Sequence, residues 1–257
     1  DSRKEELDRL GFYSSPSDDE RMRRCLRRFL MVECQDIPDV EQVLDDVACE
    51  VADEFLAKLK SGRIIFNGPM IGVADIRAKR SPDGKEVHSL EMEMYRSDYF
   101  TFKVMSALYQ KLNTLTTKEK LFDICTTQDI PRYAPFFCSL GMGGFLVVDD
   151  APSGKVLWIK RGGLCEAGNL YHFSYDETVS VKDVRIAHTQ EKTVDIYDAL
   201  YRGIKEELGL EQQDFTDTAG GVFEIGVILT RKRIELEFLS YLVLNPVIYP
   251  DFAQTLE

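Results

Sequence analysis

Two adjacent acids beside a glycine carry the sharpest chemical signal in the chain. In Arg202-Gly203-Ile204-Lys205-Glu206-Glu207-Leu208-Gly209-Leu210, the pair Glu206 and Glu207 stands just before Gly209. Glycine suits the left-handed position that closes a helix. A helix C-terminus is the negative pole of the backbone dipole, so two carboxylates there call for a nearby cation. Arg202 lies one turn before Glu206 and can share its face. Hard divalent ions take carboxylate oxygens together with substrate phosphate oxygens. Glu206 and Glu207 could therefore hold Mg²⁺ or Mn²⁺ and orient water against a diphosphate. The same acids are equally what a solvated helix end looks like, and both readings stand on these residues.

The elements that must position this segment follow from periodicity. From residue 136 the order reads strand, strand, loop, helix, strands. Gly143–Asp149 reads as a buried strand and Lys155–Lys160 as its hairpin partner, across the turn Ala151-Pro152-Ser153-Gly154. Residues 162–183 read as a long loop or an irregular strand region, and Thr193–Leu208 as the helix that ends at Gly209. Phe223–Leu229 and Ile234–Leu244 complete the strands. Sheet with interleaved helix means an α/β domain over 136–257.

Upstream, residues 1–62 read as helical. Met22, Cys25, Leu26, Phe29 and Leu30 recur at helical spacing, as do Val40, Val43, Leu44, Val47, Val51, Phe55, Leu56 and Leu59, with a stop at Gly62. The basic run Arg21–Arg28 forms the solvated face of the first helix, or a docking surface for an acidic partner or nucleic acid. Residues 63–135 read as an α+β extension. Its parts are short strands at 63–66 and Ile71–Arg77, a turn at Pro82-Asp83-Gly84, a half-buried strand Val87–Tyr95 and a helix over Asp98–Leu112. Pro131 and Pro135 mark the boundary with the third part.

The segment at 202–210 resembles the end of the Nudix box, G-x5-E-x7-R-E-U-x-E-E-x-G-U with U a bulky aliphatic. Arg202, Ile204, Glu206, Glu207, Gly209 and Leu210 match it. The preceding hairpin, ending at Lys160-Arg161, is similar to the strand that leads into the box. The resemblance implies a Nudix-like α/β/α sandwich with a helical and α+β N-terminal extension. It further implies a catalytic set of Glu206, Glu207 and Arg202, and Mg or Mn on the two glutamates if the centre is active. A nucleoside diphosphate derivative or a nucleotide signal would be the substrate or ligand. The upstream region is similar, in order and texture, to the extension of the SMODS-associated Nudix-like domains of bacterial nucleotide-signalling defence systems. The departures are specific. His188 stands at the first Gly of the pattern, Val194 at its first Glu, and Gly203 at the Glu that follows Arg. The central carboxylate is therefore absent, and the alternative is a catalytically inactive Nudix-fold module that binds a ligand or a protein.

Other acids could substitute. Glu235 and Glu237 alternate on one strand and share a face, which makes them ligand-binding candidates. Asp195 and Asp198 lie earlier in the helical segment, and Glu166 and Glu177 in the long loop. Arg161, followed by two glycines, could meet phosphate at the strand end. His172 and His188 read as packed or surface residues. Trp158 and Tyr171 could stack on a base, although Trp158, inside a strand, reads as core.

Composition bounds these options. The 257 residues carry 32 Lys+Arg against 44 Asp+Glu, a net charge of −12, which argues against sequence-independent nucleic-acid binding. No run approaches the roughly 20 apolar residues that span a bilayer. Six cysteines without a CxxC pair, and three histidines, argue against structural zinc and a disulfide framework and for reduced thiols in the cytoplasm. The chain begins at Asp1 without a signal-like run, which reads as part of a longer protein. The N-terminal helices are then the surface for a homo-oligomer or for a fused or partner effector.

Overall fold

The computed structural model describes residues 20–62, 67–80, 86–118, 121–124, 126–148, 155–160, 171–186, 192–215, 222–230, 234–245 and 247–248. They contain five α-helices and antiparallel strand pairs, so helix and sheet are combined as an α/β class requires. The described residues divide into two compact units. One runs as far as Leu140 and takes in those of Thr230–Glu235; the other takes those of Gly141–Leu229 and Leu236–Glu257. No helix among the described residues is long and apolar enough to cross a membrane.

In the first unit, helix α1 (Glu20–Glu33) buries Met22, Leu26, Phe29 and Leu30 along one stripe and exposes Arg23, Arg24, Arg27 and Arg28 on the other. Helix α2 (Val40–Lys60) buries Val47, Val51, Ala52, Phe55 and Leu56. Strands β1 (Pro69–Arg80) and β2 (Glu86–Asp98) form a long antiparallel pair, extending the expected strands at both ends. Asp98 then caps helix α3 (Tyr99–Leu115): its carboxylate accepts from the Thr101 backbone N–H and hydroxyl, both at 2.9 Å. Burial pushes the Asp98 carboxyl above its usual range, against those hydrogen bonds.

The core of this unit is aromatic. Phe136 meets Phe29 edge-on at 4.8 Å, and Phe122 stands perpendicular to Phe136 at 4.8 Å. Pro131 lies in a short helix α4 (Ile130–Tyr133) and Pro135 in the 3-10 turn that follows, where Tyr133, Pro135 and Phe136 are buried. The two prolines thus serve the first unit, whose described run continues to Leu140. The strand expected at 63–66 and the turn at 82–84 lie outside the described residues.

The second unit is built on strand β3 (Leu140–Val148). Its first half, Gly141–Gly144, pairs antiparallel with β7 (Tyr175–Thr178), and its second half, Leu146–Val148, with β4 (Lys155–Leu157). Strands β10 (Val222–Thr230) and β11 (Glu235–Leu244) complete a sheet of order β10-β11-β3-β4. Two small antiparallel pairs stand apart from it. They are β5 (Ile159–Lys160) with β6 (Tyr171–His172), and β8 (Val184–Ile186) with β9 (Lys192–Val194). Helix α5 (Ile196–Leu208) packs on β7 and buries Ala199, Leu200, Gly203 and Ile204.

Candidate functional site

The helix that carries the candidate residues starts later than its spacing suggests. Thr193 and Val194 belong to β9, as β-branched residues favour, and Asp195 is the N-cap. The Asp195 carboxylate accepts from the N–H groups of Tyr197 and Asp198, at 3.1 and 3.3 Å. Asp198 pairs with Arg185 of β8. Both aspartates thus hold the start of α5 in place, well before Glu206. At the other end Gly209 takes φ +68° and its N–H bonds the Lys205 carbonyl at 3.0 Å, the left-handed C-terminal stop that glycine permits.

Between these ends Arg202 is the hub. Its Nε and Nη2 both reach the Asp183 carboxylate at 2.9 Å, a two-point grip. Nη2 also donates to the Thr178 carbonyl at 3.2 Å. Nη1 faces Glu206 at 3.3 Å and Glu177 at 3.5 Å. The Asp183 side chain is 4 % exposed, Arg202 22 % and Glu206 57 %. The hydrogen bonds that Arg202 donates to Asp183, with Glu177 and Glu206 nearby, hold the guanidinium proton well above its ordinary range despite desolvation. Glu207 turns the other way, and its carboxylate accepts from the Asp176 backbone N–H at 3.2 Å.

Gly203 explains its own place. A Cβ built there would stand 2.5 Å from Cγ and 2.6 Å from Cβ of Glu177. The Glu177 stem therefore lies flat on the helix where any side chain at position 203 would begin. Its carboxylate hangs beside Arg202. A glycine in the middle of a helix costs about 1 kcal/mol against alanine. Here that cost permits β7 and α5 to approach closely.

The carboxylates gathered at this helix surround a guanidinium. Among the described residues no group of three or more His, Cys, Asp or Glu side chains is disposed to hold a metal ion. As arranged, Glu177, Asp183 and Glu206 face the Arg202 guanidinium. Of the sequence candidates, Arg202, Glu206 and Glu177 come together, and Glu207 braces the neighbouring strand. Glu235 belongs to the first unit, where it is buried and accepts from the Ser139 hydroxyl at 2.5 Å. Glu237 is half-buried on β11 of the second unit. His172 faces Asp176 at 3.8 Å. Arg161, Glu166 and His188 lie outside the described residues.

Asp183, the strongest partner of Arg202, carries no role in the sequence reading. A signal for it exists. Ser180-Val181-Lys182-Asp183 has capping-box spacing, and Asp183 indeed accepts from the Ser180 N–H at 2.8 Å. Trp158 corrects a further expectation. It is 56 % exposed and lies between β4 and β5, outside either strand, with its ring against Phe145.

In comparisons with known proteins, no family model matches the chain, and no curated protein matches it significantly.

Proposed function

We propose that this chain is a Nudix-like module that binds a nucleotide or nucleotide-derived signal without hydrolysing it. The fold relationship rests on the box-like residues Arg202, Ile204, Glu206, Glu207, Gly209 and Leu210 at the end of a helix that packs on a strand of a mixed α/β unit. The observation that carries the silent reading is the seat of Glu177 on Gly203. It fills the place where the family's central carboxylate would start, and with Asp183 it commits Arg202 to holding helix and strand together. In this reading the box has become a clasp, and the N-terminal helices serve a partner effector or a second copy.

Hydrolysis dependent on Mg²⁺ or Mn²⁺ is the second reading. It is favoured by Glu206 and Glu207, both exposed at one helix end. The two readings separate in one experiment. The chain is incubated with Mn²⁺ and a broad nucleotide panel that includes cyclic oligonucleotides. Binding is followed by equilibrium dialysis and products by mass spectrometry. The expected result is retention of a nucleotide with no product. Product formation that disappears in Glu206→Gln/Glu207→Gln would overturn the silent reading in favour of the hydrolase.

A further inference from the structure

The second unit leaves two large aromatic rings in water on one small surface. Trp158 is 56 % exposed and Tyr171 68 %. Rings of this size usually bury most of their area, so two exposed rings side by side mark a contact surface. The strand register brings them together. Lys160 of β5 stands opposite Tyr171 of β6. Directly opposed residues of an antiparallel pair share a face, and so do residues two apart on a strand. Trp158 and Phe173 flank this pair just outside the two strands, and continuing its alternation sets Trp158 and Lys160 on the side of Tyr171 and Phe173.

The ring contacts agree with the register. Phe145 of β3 meets Trp158 at 4.9 Å and Phe173 at 5.1 Å, edge-on to both. The neighbouring backbone is pinned by Ser174, which is buried. Its hydroxyl accepts from the Leu146 N–H at 2.8 Å and donates to the Leu157 carbonyl, and its own N–H bonds the Gly144 carbonyl. Trp158 is therefore backed by a fixed ring and a fixed backbone, while more than half of its surface stays open.

Charge selects the occupant. Lys160, opposite Tyr171, is exposed in a chain whose net charge is −12. A flat aromatic surface flanked by lysine in an acidic protein is complementary to a ligand with a π-face and a small number of negative charges. A long polyanion would meet the repulsion of the whole chain.

We propose that Trp158 and Tyr171 form a stacking platform for the base of a mononucleotide, with Lys160 directed to its phosphate. The proposal rests on the nucleotide-binding reading above and gives that reading a location. Stacking of this kind contributes about 1–3 kcal/mol per base, so loss of one ring should weaken binding by roughly five- to 150-fold.

Trp158 is the sole tryptophan, so fluorescence excited at the red edge, where tyrosine does not absorb, reports this surface. The test titrates the chain with ADP and with adenosine, with equilibrium dialysis as a second readout. ADP should quench the fluorescence saturably. Tyr171→Ala should weaken both ligands, while Lys160→Ala should weaken ADP and leave adenosine unchanged. Both substitutions are at exposed positions, and circular dichroism checks the fold. Retention of ADP in dialysis without quenching, and unaffected by Tyr171→Ala, would overturn the platform and leave the nucleotide reading standing. No retention of any nucleotide would overturn both. Quenching by a single-stranded oligonucleotide but by neither ADP nor adenosine would overturn the mononucleotide assignment and make this a nucleic-acid surface.

Discussion

Helices α1 and α5 use arginine in opposite ways. In α1 four arginines line the exposed face, and burial is left to Met22, Leu26, Phe29 and Leu30. In α5 a single arginine is mostly covered and grips Asp183, Glu177, Glu206 and the Thr178 carbonyl. The apolar stripe of α1 is enough to dock it. Helix α5 has a narrower buried stripe of Ala199, Leu200, Gly203 and Ile204, two of them very small, so polar contacts must supply part of the attachment. The lesson is that the stability of a helix–strand contact can rest on one charged group where close approach excludes bulky apolar ones.

The largest test of that contrast removes the Asp183 carboxylate. Asp183→Ala leaves the Arg202 guanidinium without its two-point partner in a largely buried place. Breaking such a pair from one side costs about 3 kcal/mol. Urea unfolding followed by Trp158 fluorescence, which reports the second unit, should show a loss of that order. A loss below about 0.5 kcal/mol, within the range of ordinary surface changes, would remove the clasp from the stability of α5.

A smaller effect belongs to Gly203. Gly203→Ala gains about 1 kcal/mol in helix propensity. It also forces a methyl into the Glu177 stem, an overpacking worth about 1–3 kcal/mol. The net expectation is a destabilisation of about 1 kcal/mol. Glu177→Gly in the same chain removes both the Cγ and the Cβ that the methyl would meet and should restore part of the lost stability. If Gly203→Ala alone stabilises the protein, Glu177 does not sit where close approach requires it.

What was legible in the sequence divides along the same line. The stripes of α1, α2 and α3, the hairpin β1–β2 and the stop at Gly209 all depend on residues a few positions apart, and periodicity exposes them. The partners of Arg202 do not. Asp183 and Thr178 are distant in the chain, and only the path of β7 and the turn at Val181–Asp183 bring them to α5. The i,i+4 pairing of Arg202 with Glu206 was visible because it is local, yet Glu206 is the most exposed of the acids around that guanidinium. Glu177 was one acid among several in a presumed loop, and nothing in its neighbours announces that it covers Gly203. Trp158 failed for a related reason. A strand pattern tells which residues alternate, but not that β4 ends before Trp158.

Acid should separate the first unit's electrostatics from those of α5. Asp36, just beyond α1, accepts from the Thr117 N–H at 2.8 Å and from the hydroxyls of Thr116 and Thr117, both at 2.9 Å. These bonds, the Thr117 N–H first, lower its carboxyl from 3.8 to about 2. A depressed carboxyl contributes stability above its unfolded value and loses it as pH falls through the folded one. Asp36 therefore helps hold the start of the α1–α2 connection to the end of α3 above about pH 3.8, and that help fades toward pH 2. Asp36→Asn should flatten the acid limb of the first unit's unfolding between those values, as followed by amide hydrogen exchange in α1 and α3. An unchanged limb would show that these threonine contacts do not discriminate the charged from the neutral carboxyl.

The smallest effect completes the comparison. Arg24→Gln with Arg27→Gln removes two charges from the exposed face of α1 and leaves its apolar stripe intact. Glutamine is about as good a helix former as arginine, so propensity is nearly unchanged. Exposed charges interact weakly through water and salt, and the expected stability change lies within about 0.5 kcal/mol. The same pair of changes should alter association if that face receives an acidic partner or a second copy, because exposed charges act on encounter more than on folding. Sedimentation at low and at physiological salt, run beside thermal unfolding, measures the two consequences separately. Unfolding that shifts by several kcal/mol would mean that α1, like α5, is held by its arginines, and the contrast between the two helices would collapse. Unchanged unfolding with changed sedimentation would instead place the exposed arginines at an interface, and leave the half-buried Arg202 to work inside the fold.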